Sequence, residues 1–366
     1  MHHQFVIRHI VLEKLKMYLK RFIKKILLQS QMEGHYNSSP VSKLNESSLI
    51  QIYKIMILIR RFEEKIIELY PEQEMRCPVH LCIGHEAIPA GVCKNLNKDD
   101  VVFSNHRSHG HYIAKGGDLK RMMAEIYGKV TGCSKGRGGS MHLIDLSANF
   151  LASTPIVGGT IPLAAGAAFA SKMQNKSNVS VAFFGDAAVE EGVLHETLNF
   201  ASLHKLPVLF VCENNLYSTQ THIRERQPPR EIAKLAECHG IMAFKGDGND
   251  ALKVYEIAKS ALDYIKSANG PVFLEFLTYR LREHCGPNDD TILGYRPKEE
   301  ILEWLKKDPI KKLGNTMLNE KIASNEDLEK IEEEAIIQID EAVLFAKESQ
   351  FPEEDSLGKY TFLDKE

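Results

Sequence analysis

The chain has 366 residues, of which 43% are apolar and 26% charged, with a net charge of −3 and an isoelectric point near 6.6. Such a composition supplies ample material for a folded core, and the near-neutral charge offers no basic footprint for nucleic acid. The seven cysteines (Cys77, Cys82, Cys93, Cys133, Cys212, Cys238 and Cys285) form no CxxC pair, which suits buried reduced thiols in a cytosolic protein. There is no apolar run of membrane-spanning length and no internal repeat.

Residues 8–28 place Ile10, Leu12, Leu15, Leu19, Phe22, Ile23, Ile26 and Leu27 at helical intervals. Lys14, Lys16, Lys20, Arg21, Lys24 and Lys25 lie between them, against the single acid Glu13. This predicts a basic amphipathic helix, for a membrane surface or targeting, for docking on a partner subunit, or as an extension translated ahead of a start at Met32. Residues 29–48 are polar, contain Pro40 and read as a linker. The chain is therefore divided into an extension over 1–45 and a main domain over 46–366.

Apolar residues recur helically over 49–70, where Arg60, Arg61 and Glu63 read as a salt-bridged surface. Residues 78–92 (PVHLCIGHEAIPAGV) set His80, Gly84, His85 and Glu86 just ahead of an apolar helix. A strand over 101–104 leads into NHRSHGHYIAKG. His106, His109 and His111 could be read as a zinc site, but no cysteine or acid supports them. Arg107, a forked and permanently charged donor, points instead to anion binding. A helix over 119–127 precedes the glycine-rich loop GCSKGRGGSMHL at 132–143. From Gly158 on, residues 150–170 are rich in small side chains, as for a helix packed closely on a sheet or at a subunit interface.

Residues 181–217 hold the densest signal. An apolar strand over 181–184 ends at Gly185 and Asp186. A helix follows over 190–203, and Pro207 precedes a second apolar strand over 208–212. This β-α-β unit implies parallel strands with a right-handed crossover. Asp186 and Asn215 then stand at the carboxyl ends of adjacent strands, where open α/β sheets bind ligands. Both are oxygen ligands suited to Mg²⁺. A turn aspartate and a capping asparagine would give the same letters.

Beyond Tyr217 come a polar loop with Arg224 and Arg226, helices over 231–239 and 252–265, and a buried strand over 271–276. A second GDG at 246–248 has no NN pair at the matching interval and reads as a turn and helix cap. Ser324 and Asp327 form a candidate capping box for a helix over 328–348, with Leu328, Ile331, Ala335, Ile336, Ile339, Ala342 and Val343 on its buried face.

GDA…ENN, with Asp186 and Asn215 separated by 29 positions, resembles the thiamine diphosphate fingerprint. LNFA, LPVLFVCENN, HLCIGHEA, HRSHG, GCSKGRGGSMH and TYRLREHCGPNDD resemble motifs of the α subunit of E1 in the 2-oxo acid dehydrogenases, over roughly residues 49–350. The resemblance implies an α/β parallel-sheet fold with helices on both faces and helical terminal segments. It implies thiamine diphosphate and Mg²⁺ as cofactors, with Asp186, Asn215 and Tyr217 (through its backbone oxygen) on the metal. His106, Arg107, Pro155, Val157, Gly185, Asp186, Ala187, Ala188, Asn215 and Tyr217 would line the cofactor, and His80 and His284 would take part in catalysis. His109 would contact phosphate or the neighbouring loop. Ala187 departs from the usual glycine and requires a negative φ. Glu283 and Cys285 replace the Gly and Ser of the family's GHS, so phosphorylation control at that serine is absent.

The implied activity is oxidative decarboxylation of a 2-oxo acid, pyruvate first, with acyl transfer to a lipoyl-bearing E2 acyltransferase. Alternatives are an acetoin dehydrogenase, a related system with a non-lipoyl acceptor, and a catalytically idle scaffold. The resemblance also implies an E1 β subunit, an α₂β₂ heterotetramer inactive as α alone, and a bacterial cytoplasmic setting, with an organellar matrix second.

Overall fold

The computed structural model describes residues 45–359 apart from Arg76 and Leu357; the basic helix expected over 8–28 lies outside the described residues. Short apolar runs form a six-stranded sheet. Its strands are β1 (Val101–Ser104), β2 (Phe150–Ser153), β3 (Ser180–Gly185), β4 (Val208–Asn214), β7 (Met242–Asp247) and β8 (Val272–Leu277). A separate hairpin pairs β5 (Tyr217–Ser218) with β6 (Thr221–His222). The sheet order is β2-β1-β3-β4-β8-β7, and every pairing is parallel. The chain reverses its direction of travel across the sheet between β1 and β3, which is a topological switch point.

The first helices are α1 (Glu46–Leu69), α2 (Ala87–Cys93), α3 (Ser108–Lys115), α4 (Leu119–Ile126), α5 (Thr160–Met173) and α6 (Gly192–Leu203). After the hairpin come α7 (Ile223–Arg226), α8 (Ala233–Cys238), α9 (Ala251–Lys266), α10 (Lys298–Leu305), α11 (Pro309–Asn319) and α12 (Asn325–Glu348). Strand residues alternate between faces. Phe103, Ala182, Phe184, Phe210 and Phe273 pack with Ile161, Ala164, Leu194, Leu198 and Ala236, which puts α5, α6 and α8 on one face. Phe183 points the other way and stacks on His111 of α3, and Gly246 faces Ile257 of α9. Helices therefore cover both faces, as a parallel sheet requires. Among the described residues no helix is long and apolar enough to cross a membrane.

Several local expectations change. Helix α1 begins at Glu46, inside the stretch read as linker. Arg60 and Glu63 do not form a surface: Arg60 binds Glu86 (2.5 Å) and Asp308 (3.0 Å), and Glu63 is fully buried against Cys82 and His109. The capping box of α12 forms. Its buried stripe is Ile331, Ala335, Ile339, Ala342 and Ala346, while Ile336 is exposed because its neighbour Ala335 already takes the inward direction. Cys82, Cys93, Cys133 and Cys212 are buried free thiols, but Cys238 and Cys285 are exposed.

The glycine-rich loop is wound around a buried carboxylate. Glu125, at the end of α4, accepts from the backbone N–H groups of Ser134 (2.7 Å), Gly136 (2.9 Å), Gly138 (2.7 Å) and Gly139 (3.0 Å). A Cβ at Gly132 would lie 2.3 Å from Glu125 Oε2, so glycine is what permits the wrap. Removing one charged acceptor strands four donors, at about 1.5–3 kcal/mol for each bond lost without a replacement. Glu125→Ala should therefore open residues 132–143 to limited proteolysis before global unfolding. Equal cleavage rates in mutant and wild type would refute this role.

Candidate active site

The carboxyl ends of β1, β3, β4 and β8 stand side by side, and each delivers side chains to one cavity of about 270 Å³. His106 and Arg107 follow β1, Pro155 and Val157 follow β2, and Gly185, Asp186, Ala187 and Ala188 lie at the end of β3. Asn215 and Tyr217 follow β4, His284 follows β8, and His80 enters from the segment before α2. These twelve residues thus line the same space, whereas His109 does not.

Arg107 knits two loops together. It is 4% exposed, and its guanidinium donates to Leu81 O (2.9 Å), His284 Nδ1 (3.1 Å) and His284 O (3.1 Å). The loop bearing His284 is held by a second buried cation, Arg280, which binds Arg282 O (2.8 Å) and Tyr295 Oη (2.7 Å). Asp290 pairs with Arg280 (3.4 Å) and with Arg296. Gly84 explains the close approach of the His80 segment: its φ is +101°, and a Cβ there would lie 2.3 Å from Tyr279 O.

The zinc pattern dissolves in three dimensions. His109 spends both nitrogens on Glu63 (3.2 Å) and Ser140 (2.8 Å), in the glycine-rich loop. His111 spends its two on Ser104 (2.8 Å) and Glu213 (3.2 Å). His106 joins His80 and His284 instead, with ring centroids 4.7 to 5.5 Å apart. Burial first, and Arg107 next, push His80 down to about 3, His106 to about 2 and His284 to about 3. Burial likewise pushes His85 to about 4. These imidazoles are neutral at neutral pH. The Nδ1 of His80 and both ring nitrogens of His85 are buried without a partner.

Asp186 is 1% exposed, and burial raises its carboxyl while Arg226 opposes that rise. Arg226 meets one oxygen of this buried carboxylate. Asn215 presents a carboxamide whose oxygen already accepts from Tyr217 N (3.1 Å), which identifies the oxygen end. A carboxylate and an amide oxygen are hard donors that suit Mg²⁺. A Cβ at Gly185 would meet nothing within 4 Å, so this glycine leaves room for a ligand. The residues present thus fit a divalent cation carrying an anionic group. Ala187 sits in the 3₁₀ turn Asp186–Glu190 and has no positive φ, so its methyl group meets the condition set for it.

The sequence assigns no role to Glu190, Arg226 or Gln227, which surround Asp186. Arg226 pairs with both Asp186 and Glu190, and Gln227 Nε2 donates to Asp186 O (3.1 Å) and Glu190 Oε1 (2.9 Å). No spacing signal marks them, because the hairpin that brings them back is set by tertiary structure.

A doubly wound parallel sheet with a buried arginine and an acid at its switch point, and an amide at the next strand end, is the architecture of an α/β protein that takes its ligand at the carboxyl ends of the strands. The dehydrogenase E1 component family matches residues 54–355. The chain is 41% identical over 315 residues to the α subunit of acetoin:2,6-dichlorophenolindophenol oxidoreductase of Bacillus subtilis, covering 86% of this chain and 93% of that one. It is 38% identical over 315 residues to the pyruvate dehydrogenase E1 component α subunit of Rickettsia felis (86% and 96% covered). It is also 38% identical to a chloroplastic pyruvate dehydrogenase E1 α-3 subunit of Arabidopsis thaliana (86% and 74% covered). The chain belongs to the dehydrogenase E1 component family and is an α subunit of the thiamine diphosphate-dependent 2-oxo acid dehydrogenases.

The four depressed histidines bind fewer protons folded than unfolded below the ordinary value near 6.5. Their stabilising neutrality is complete above about pH 6.5 and is lost as pH falls toward the folded values. Thermal stability should therefore drop steadily below about pH 6.5, and His85→Asn should flatten that slope by about one proton. An unaltered slope in the variant would refute this assignment.

Proposed function

We propose that this chain, with a β subunit, carries out thiamine diphosphate- and Mg²⁺-dependent oxidative decarboxylation of a 2-oxo acid, pyruvate first, and passes the acyl group to a lipoyl-bearing E2 acyltransferase. The observation that carries the reading is the gathering of Asp186, Asn215, Arg107 and three neutral histidines around one cavity at the sheet's carboxyl edge. Two pyruvate dehydrogenase relatives at 38% identity support the substrate.

When bound, thiamine diphosphate supplies a carbon nucleophile and an electron sink for decarboxylation. Asp186, Asn215 and the Tyr217 backbone oxygen hold the cation. Arg107 takes the diphosphate, for which its forked donors suit oxyanions. His106 and the backbone around Gly185, Ala187 and Ala188 complete the anion site, while Pro155 and Val157 support the cofactor's body. His80 and His284, kept neutral, can accept a proton at one ring nitrogen or donate from the other.

Leu163 and Met173 of α5, with Phe200 and Leu203 of α6, leave apolar side chains exposed at 50%, 70%, 39% and 73%. Side chains of this kind suit cover by partner subunits, as in an α₂β₂ tetramer, and the α subunits named among the relatives favour the same reading. Bacterial relatives favour a cytoplasmic setting. Acetoin is the second substrate reading, favoured by the 41% identity to the Bacillus subtilis protein.

Mixed with its β subunit, the chain should show a thermal shift that needs both thiamine diphosphate and Mg²⁺. Asp186→Ala and Asn215→Ala should each abolish that shift and cut turnover by about 100-fold or more, in line with the loss of a metal-held cofactor. A panel of 2-oxo acids and acetoin with an artificial electron acceptor separates the substrates. Cofactor-independent stability and no turnover on any of them would end the proposal.

A further inference from the structure

The expected cation ligands come from two separate places. Asp186 ends β3, whereas Asn215 and Tyr217 follow β4. Something has to keep the two in register, and the structure has a device for it. The hairpin β5–β6 runs on into α7, whose last residue is Arg226. That side chain is only 10% exposed and uses its whole fork. Its Nε donates to Thr221 O of the hairpin (3.2 Å), Nη1 pairs with Glu190, and Nη2 pairs with Asp186 Oδ2. Gln227, also buried, repeats the link through Asp186 O and Glu190 Oε1.

We propose that Arg226 is a positioning residue of the cation site: it fixes one oxygen of Asp186 to the hairpin that starts at Tyr217 and leaves the other oxygen for the metal. The inference rests on the reading of Asp186 as a metal ligand. Arg226 also neutralises one of two neighbouring carboxylates, Asp186 and Glu190. Without it, two like charges would face each other and the Asp186 side chain would lose its tie to the hairpin. Glu190 anchors the guanidinium from its far side, as outer groups do for the ligands they orient. A lysine keeps the charge but not the planar fork, so it cannot hold Asp186, Glu190 and Thr221 at once.

The test uses the complex of this chain with its β subunit. Mn²⁺ binding is read by electron paramagnetic resonance with thiamine diphosphate present, and turnover is titrated with Mg²⁺. Arg226→Gln should raise the half-saturating metal concentration about 10–100-fold, the range seen when an outer partner of a ligand is removed. Saturating Mg²⁺ should then restore most of kcat. Arg226→Lys should not restore the midpoint. Glu190→Gln, which leaves Asp186 and Arg226 in place, should shift it in the same direction by less. An unmoved Mn²⁺ midpoint in Arg226→Gln, a loss of kcat that Mg²⁺ does not recover, or full rescue by lysine would each overturn the inference. If the wild-type complex binds Mn²⁺ with the cofactor and Asp186→Asn does not, the parent reading stands whatever Arg226 does. If the wild type binds none, the parent reading itself falls.

Discussion

The parallel register of β3 against β4 is the constraint on which the site depends. Six consecutive pairs run from Ser180–Val208 to Gly185–Glu213, so the two strands end level. Asp186 just after β3 and Asn214 and Asn215 at the end of β4 emerge at similar height, about 4.8 Å apart in strand spacing. A slip of one residue would turn every side chain of one strand to the other face. It would also part the acid from the amide. The aromatic and aliphatic cores on both faces hold this register, since Phe184 and Phe210 belong to one face and Phe183 and Val211 to the other.

Electrostatics follow from where cations are buried. Arg107 and Arg280 are nearly solvent-free, and each lowers the affinity of the neighbouring imidazoles for protons. Three histidines in contact are therefore not three charges. They form a neutral patch of imidazoles beside a fixed positive charge, Arg107. The acid and the amide, Asp186 and Asn215, lie on the other side of the cavity, at the ends of β3 and β4.

Much of this was legible in the residues, and the omissions have physical causes. The four strands seen in advance, β1, β3, β4 and β8, occupy the interior of the sheet, where burial on both faces makes an unbroken apolar run. The two missed, β2 and β7, are its edges, with intermediate or exposed positions among FLAS and MAFKGD. Arg60 and Glu63 looked like surface because charge usually is; their partners Glu86, Asp308 and His109 are far along the chain. Helix α3 was hidden because His109 and His111, polar by type, point inward onto acids. Arg226 carried no signal at all, since its meaning depends on a hairpin that only the folded chain defines.

The scaffold alternative drew its force from Ala187 in place of glycine. That force depended on a backbone requirement, because glycine is indispensable only where φ is positive or where a Cβ has no room. In the structure Ala187 lies within a right-handed 3₁₀ turn, in ordinary backbone conformation. The turn is also held from outside by Gln227 on Asp186 O, so its geometry does not rely on glycine's freedom. The backbone requirement for glycine is therefore absent at this position, and the turn is fixed without it.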